Sequence, residues 1–181
     1  MMDTDLLQGA KQFNQGILVK IYDEYNPRIY RYAMRLLGNA DLAEECVSET
    51  FTLFLKALHC GKGPQKHLQA YLFRIAHNWI ADWYRRQPPH TEILDDELQD
   101  EHTENIEQSI DLRIQQKHTR AALLHLTPDQ RQVIVLKFLE GWSNREIAEV
   151  INKPVGAVKS LQHRALTALR KQLKASEENQ E

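Results

Sequence analysis

The sequence predicts an all-α protein built of two small helical domains joined by an acidic flexible linker. Three observations carry this expectation. Apolar residues recur at intervals of three and four along most of the chain. A stretch from 87 to 111 carries nine Asp/Glu and no Lys/Arg behind a Pro-Pro pair. The segment from Trp142 to Leu173 reads as two helices separated by a tight turn.

The 181 residues, 42% hydrophobic and 27% charged, have ordinary globular composition and can bury a core. The 23 basic and 25 acidic residues nearly cancel, but they are segregated. Residues 112–174 carry 12 Lys/Arg against 4 Asp/Glu, whereas residues 1–86 carry 11 against 9. Such a distribution points to a polyanion-binding C-terminal module following an acidic linker. Expected boundaries are 1–86 for the first domain, 87–111 for the linker, 112–174 for the second domain and 175–181 for a polar tail.

Residues 1–12 show little periodicity and read as a frayed lead-in. From Gly16 to Leu37 the apolar positions Ile17, Ile21, Tyr25, Ile29, Tyr32, Ala33 and Leu36 predict one bent helix or two joined ones, interrupted at Asn26-Pro27. Gly38-Asn39 ends it. Asp41 is placed to cap a helix running to Leu58, whose early carboxylates Asp41, Glu44, Glu45 and Glu49 suit a helix N-terminus electrostatically and could equally dock a basic partner. His59 to Lys66 is a loop by its glycines and proline, and it lacks the spacing of a phosphate-binding loop. Within and beside that loop His59, Cys60 and His67 match no standard zinc spacing, so no metal and no other cofactor is expected.

A helix from His67 to Arg86 follows, with Leu68, Leu72, Ile75, Ala76, Trp79 and Trp83 on a broad apolar face. Tyr71, Arg74, Asn78 and Arg85 fall together on another. Rings beside guanidinium and amide groups on one exposed strip suit single-stranded nucleic acid, because bases stack on rings and phosphates meet cations. The competing reading is an amphipathic helix with a solvated polar side.

Beyond the linker, a helix is expected over Leu112 to Leu126. Thr127-Pro128 then opens a helix through Phe138 or Leu139, stopped by Gly141. Ser143 with Glu146 forms a capping box for a short helix whose apolar side is Ile147, Ala148 and Ile151. Asn152-Lys153-Pro154 then stops it, because proline disfavours helical geometry in the residue before it, and Pro154 can open the next helix. There Val158, Leu161, Ala165, Leu166, Leu169 and Leu173 form the apolar stripe. Lys159, Ser160, His163, Arg164, Thr167 and Arg170 lie opposite. A short capped helix, a tight turn and a longer helix with a basic outer face is a helix-turn-helix, whose second helix enters the DNA major groove. An ordinary helical hairpin would show much of the same pattern.

No apolar run approaches the ~20 residues needed to span a bilayer, so membrane insertion is not expected. Two cysteines without a CxxC pair, and no signal-peptide pattern, predict a reduced cytoplasmic protein. No paired carboxylates, nucleophile with base or metal cluster stands out, which argues against an enzyme.

Two separated segments resemble one family. Y-N-P-R-I-Y-R-Y-A-M-R-L-L-G-N-A-D-L-A-E-E-C-V-S-E-T-F from Tyr25, with A-Y-L-F-R-I-A-H-N from Ala70, is similar to the second conserved region of bacterial sigma factors of the extracytoplasmic function group. L-T-P-D-Q-R-Q-V-I-V-L-K-F-L-E-G-W-S-N-R-E-I-A-E-V-I-N-K-P-V-G-A-V-K-S from Leu126 is similar to their fourth. The resemblance implies a sigma factor without catalytic residues, working in the bacterial cytoplasm at the nucleoid. Its implied partners are core RNA polymerase, promoter DNA and, as a regulator, an anti-sigma factor. It assigns core polymerase binding to Asp41, Glu44, Glu45, Glu49 and Phe51, contacts to the −10 element to the 59–66 loop with Tyr71, Arg74 and Asn78, and −35 reading to Lys159, Ser160, His163 and Arg164. A one-component DNA-binding regulator would need an effector or dimerisation domain, and the first module resembles a polymerase-binding domain instead. The chain departs from the pattern at Ser48, Ala157 and Leu161-Gln162, and Gln162 is expected near the middle of the apolar stripe.

Overall fold

The computed structural model of the protein describes residues 2–86, 121–123 and 125–178, and the described residues are helix, turn or loop. The expected linker at 87–111 lies outside them. So does most of the helix expected over 112–126, of which residues 121–123 are helical.

Helix α1, Met2–Lys11, replaces the expected frayed lead-in. Leu7 and Ala10 are buried. Gly9 allows the close approach to α2, because a Cβ there would stand 2.7 Å from Ile17 Cγ1. A ten-residue helix gains most of its stability from such packing, which is why the sequence alone gives it little signal.

Helix α2, Gln15–Leu37, is one continuous helix with Pro27 in its interior. The Asn14 side chain accepts from the Ile17 amide at its start, and Gly38, at φ 66, closes its end by donating to the Met34 carbonyl. Helix α3, Ala40–His59, is capped by Asn39, whose side chain accepts from the Leu42 amide at 2.8 Å. Asp41, expected as the cap, instead sits in the first turn, where its charge favours the helix N-terminus.

Helix α4, Leu68–Arg86, is buried on two sides. Leu68, Leu72 and Ala76 of the expected apolar face are buried, while Phe73, His77 and Ile80 make a second buried row. Trp79 and Trp83, expected in the apolar face, are only half-buried. Arg28 lies over the Phe73 ring, 5.8 Å from its centroid.

In the second module, helix α5 spans Pro128–Ile134 and opens with Thr127 and Gln130 capping each other reciprocally. It does not run on as an α-helix to Phe138. A π turn, Val135–Leu139, takes over, and the Glu140 amide reaches back to the Val135 carbonyl at 3.0 Å. Gly141, at φ 74, ends this stretch.

Helix α6, Asn144–Ile151, begins at the expected box: the Glu146 amide donates to Ser143 Oγ at 3.3 Å, and the Ser143 amide to Glu146 Oε2 at 2.7 Å. Hydrogen bonding from the Ser143 side chain and from the Ser143 amide lowers the Glu146 carboxyl pKa. It stops within the expected Asn152-Lys153-Pro154, where Asn152 takes left-handed geometry, φ 52 and ψ 47, and its amide donates to the Ala148 carbonyl. Helix α7 spans Val155–Glu178, so it continues past 174 into the expected tail. Pro154 precedes it and supplies the carbonyl for the Ala157 and Val158 amides.

The two modules share one buried core. Helix α4 packs against α6, and α2 against the π turn. Across this boundary Phe73 and Trp142 meet with ring centroids 4.7 Å apart, and the Arg35 guanidinium pairs with Glu140.

Candidate nucleic-acid interface

The outer face of α7 follows from the burial of its inner one. Val158, Leu161 and Ala165 are buried against the rest of the second module, which turns Lys159, Ser160, His163 and Arg164 to solvent. All four residues expected to read −35 DNA therefore occupy one exposed strip. Gln162, expected near the middle of the apolar stripe, is half-buried, and the four residues of the strip stay exposed beside it. Ser160 Oγ donates to the Gly156 carbonyl at 3.0 Å, and Arg164 Nε to the Ser160 carbonyl at 3.3 Å. These local bonds hold the first turns of the helix without engaging the ends of Lys159 or His163. Gly156 has nothing within 4 Å of where a Cβ would stand, so the start of α7 presents bare backbone outward. Arg170 and Lys171 are exposed further along.

The strip expected on α4 is divided. Asn78 and Arg85 are exposed, but Tyr71 and Arg74 are half-buried. Arg74 Nε donates to the Glu149 carbonyl on α6 at 2.9 Å. Tyr71 meets the Phe54 ring edge-on at 6.2 Å, and burial raises its phenol pKa against the lowering influence of Arg74. Both residues line a hollow of about 270 Å³ with Pro64, Gln65, Lys66, His67, Ala70 and Glu149. The 59–66 loop thus meets α4 at a polar, cation-bearing recess, the chemistry that accepts an unstacked base and its phosphate.

The residues expected to bind core polymerase share one side of α3 but not one role. Glu44 lines a groove of about 650 Å³ between α2 and α3, with Val47, Ser48, Thr52 and Leu55. Phe51, 8% exposed, forms its floor against Tyr22, at 4.8 Å between ring centroids. Asp41 and Glu45 are exposed and Glu49 half-buried on the adjoining strip, outside the groove. Helix α2 supplies what the α3 pattern could not reveal: Leu18, Tyr22, Asn26 and Tyr30 make the opposite wall. Tyr22 is 45% exposed and Leu55 41% exposed. These are large rings and branched chains left facing water, and the signal for them lay in Tyr22 falling off the buried row of α2.

Among the described residues no group of three or more His, Cys, Asp or Glu side chains is placed to hold a metal ion. Nor is any described helix long and apolar enough to cross a membrane. Cys46 is buried, and burial pushes its thiol up to about 12.

Comparison with known proteins bears on both modules. The family model for Sigma-70 region 2 matches residues 21–88, and that for Sigma-70, region 4, matches residues 119–169. The chain is 32% identical to the ECF RNA polymerase sigma factor SigW of Bacillus subtilis over 96% of this chain and 98% of that one. It is 31% identical to the ECF RNA polymerase sigma factor BldN of Streptomyces coelicolor, over 91% of this chain and 63% of the relative's length. Among solved structures, CnrH in complex with the cytosolic domain of CnrY superposes with a TM-score of 0.74 at 24% identity, covering 96% of this chain and 97% of that one, which establishes the shared fold. The sigma factor RpoE of Bartonella quintana, solved with the anti-sigma factor NepR, superposes with a TM-score of 0.58 at 23% identity over 91% of this chain and 98% of that one. With both family regions in order, and a relative matched over nearly its whole length, the chain belongs to the extracytoplasmic function group of sigma-70 RNA polymerase sigma factors.

Proposed function

We propose that this chain binds core RNA polymerase through the groove between α2 and α3, contacts the −10 element with Tyr71, Arg74 and Asn78, and reads the −35 duplex with Lys159, Ser160, His163 and Arg164. It confers promoter-specific initiation on the polymerase and performs no chemistry of its own. The observation that carries this reading is the outward strip of α7, where cations and hydrogen-bonding side chains stand on a helix whose opposite side is fixed in a core. Such a helix can be pressed into the major groove without unfolding anything. The α2–α3 groove suits a protein partner, with exposed apolar walls bordered by Asp41, Glu44 and Glu45, which favour a basic counterpart. Glu49 and Phe51 support that surface from its edge and floor.

The same reading places the chain with polymerase at the nucleoid. It also includes an anti-sigma factor as a regulatory partner, by analogy with the complex solved for RpoE. Run-off transcription with core enzyme on a promoter library tests the proposal. Transcripts that start at discrete promoters only when the chain is added are expected. A pattern identical to that of core alone refutes it.

A further inference from the structure

We propose that α1 and the turn behind it brace the 59–66 loop, through Lys11 to Gln65 and Phe13 to His59, and that Lys11 and Phe13 are thereby positioning residues for base selection at the −10 element. This role rests on the assignment of that loop and of Tyr71 to the −10 element given above. It brings in a helix that lies outside every motif used for that assignment.

The root of the loop is held from within. The Lys62 amide donates to the Ala57 carbonyl at 2.8 Å, and the Gly61 amide to the Leu58 carbonyl at 3.0 Å. Pro64 is buried, and a Cβ on Gly63 would stand 2.6 Å from Leu58 Cδ2, so the backbone there lies close on α3. The tip is different. Gln65, Lys66 and His67 are exposed, so no buried packing sets their side chains. Lys11 reaches the tip from 54 residues away, its Nζ donating to Gln65 Oε1 at 3.0 Å. Phe13 meets the ring of His59, the last residue of α3, edge-on at 6.1 Å.

The aim of both side chains is set by the packing of α1. Leu7 and Ala10 are buried, and the helix rests on α2 and α3. Phe13 follows in left-handed geometry, φ 53, which a bulky residue rarely adopts and which persists where its surroundings determine it. At 44% exposure, burial does not account for a ring held in this way. Its contact with the start of the loop does.

What the brace fixes is the direction of an amide. A carboxamide offers an acceptor on one side and two donors on the other, and half a turn exchanges them. With Oε1 bonded to Lys11, the N–H donors of Gln65 are left for the hollow it lines with Lys66, Tyr71 and Arg74. That wall suits a carbonyl oxygen on the edge of an unstacked base and opposes an amino group in the same place. Without Lys11 the amide can turn over, and the distinction weakens.

Run-off transcription by the holoenzyme on a promoter library randomised at the −10 and −35 elements, read by sequencing the transcripts, tests this. Lys11→Met keeps the aliphatic stem without the donor, and Phe13→Leu keeps an apolar side chain without the ring. Each should flatten base preference at particular −10 positions by about three- to tenfold and leave −35 preference as in the parent. Lys11→Arg and Phe13→Tyr should retain the parental preference. Gln65→Ala should flatten the same positions, and Lys11→Met should add nothing to it. Tyr71→Ala reads the underlying assignment. If it flattens −10 preference, but Lys11→Met or Phe13→Leu either changes nothing or lowers output from every promoter alike, the brace is overturned and the −10 assignment stands. If Tyr71→Ala leaves −10 preference unchanged, the assignment falls and the brace with it.

Discussion

The Arg131 guanidinium lies over the Tyr84 ring, 5.1 Å from its centroid, and donates to the hydroxyl of the same side chain. Arg131 is 5% exposed and also donates to the Leu123 and Leu126 carbonyls, at 2.8 and 3.2 Å. One buried cation thus ties the last turn before α5 to the end of α4. Arg131→Ala removes the guanidinium donor from the Leu126 carbonyl and the Tyr84 hydroxyl and leaves the Leu123 carbonyl only the Leu126 amide, and should cost about 3 to 5 kcal/mol in urea unfolding. Tyr84→Phe removes only the hydroxyl and should cost about 1 kcal/mol. Equal losses in the two variants would refute this division.

Acid should loosen the protein through His77. Burial, the largest influence, lowers its pKa from 6.5 to about 4, and Asp129 and Lys153 of the second module bear on it with opposite signs. A histidine whose folded pKa lies below its unfolded value favours folding when neutral. Its contribution is complete above pH 6.5, declines as the pH falls from there to about 4, and is flat below. The decline should approach about 3 kcal/mol. Denaturant titrations across this range should show the slope in the parent, and His77→Gln should remove it. A slope that survives the substitution belongs to other groups.

On α4, Asn78→Ala should leave thermal stability unchanged, because the side chain is exposed, and should impair promoter melting by the holoenzyme. Trp79 is half-buried, so Trp79→Ala should cost less than the ~3 to 5 kcal/mol of a fully buried aromatic ring. Calorimetry of both variants beside permanganate footprinting of the open complex decides it. A large stability loss in Asn78→Ala would show that the exposed side is structural.

On α7, Lys159→Ala should change the preferred −35 sequence, costing about 1 to 3 kcal/mol at one base pair, whereas Lys171→Ala should weaken all sequences alike and reduce the salt slope by about one. Both side chains are exposed, and Lys159 lies nearer the N-terminus of the helix. Holoenzyme binding to single-base −35 variants separates the two effects. A uniform loss with Lys159→Ala would move base reading to another residue of the strip.

Legibility in the sequence tracked how local each cause was. The boxes at Ser143 with Glu146 and Thr127 with Gln130 lie within four residues, and both helix starts were readable. So was the exposed strip of α7, because its inner stripe has a clean period. Choices between near-equivalent neighbours were not readable. Asn39 and Asp41 are both good caps, and only the extended backbone at Asn39 decides. Within Asn152-Lys153-Pro154, which marks the stop of α6, the left-handed backbone at Asn152 decides where the helix ends. What lay beyond reach was the second buried side of α4. Periodicity leaves unsaid that Phe73 will meet a ring from residue 142. The groove beside α3 was half-legible for the same reason, since its far wall comes from α2.

The π turn at Val135–Leu139 sets the phase between Arg131 and Trp142. Its ladder reaches one residue further back than an α-helical one, so the segment holds a surplus residue that neither flank requires. Were the same residues wound as an ordinary α-helix, everything downstream would rotate by about 100° about the helix axis. Trp142 would then miss Phe73, and Glu140 would miss Arg35. The alignment of the two halves is thus written into the winding of a single turn.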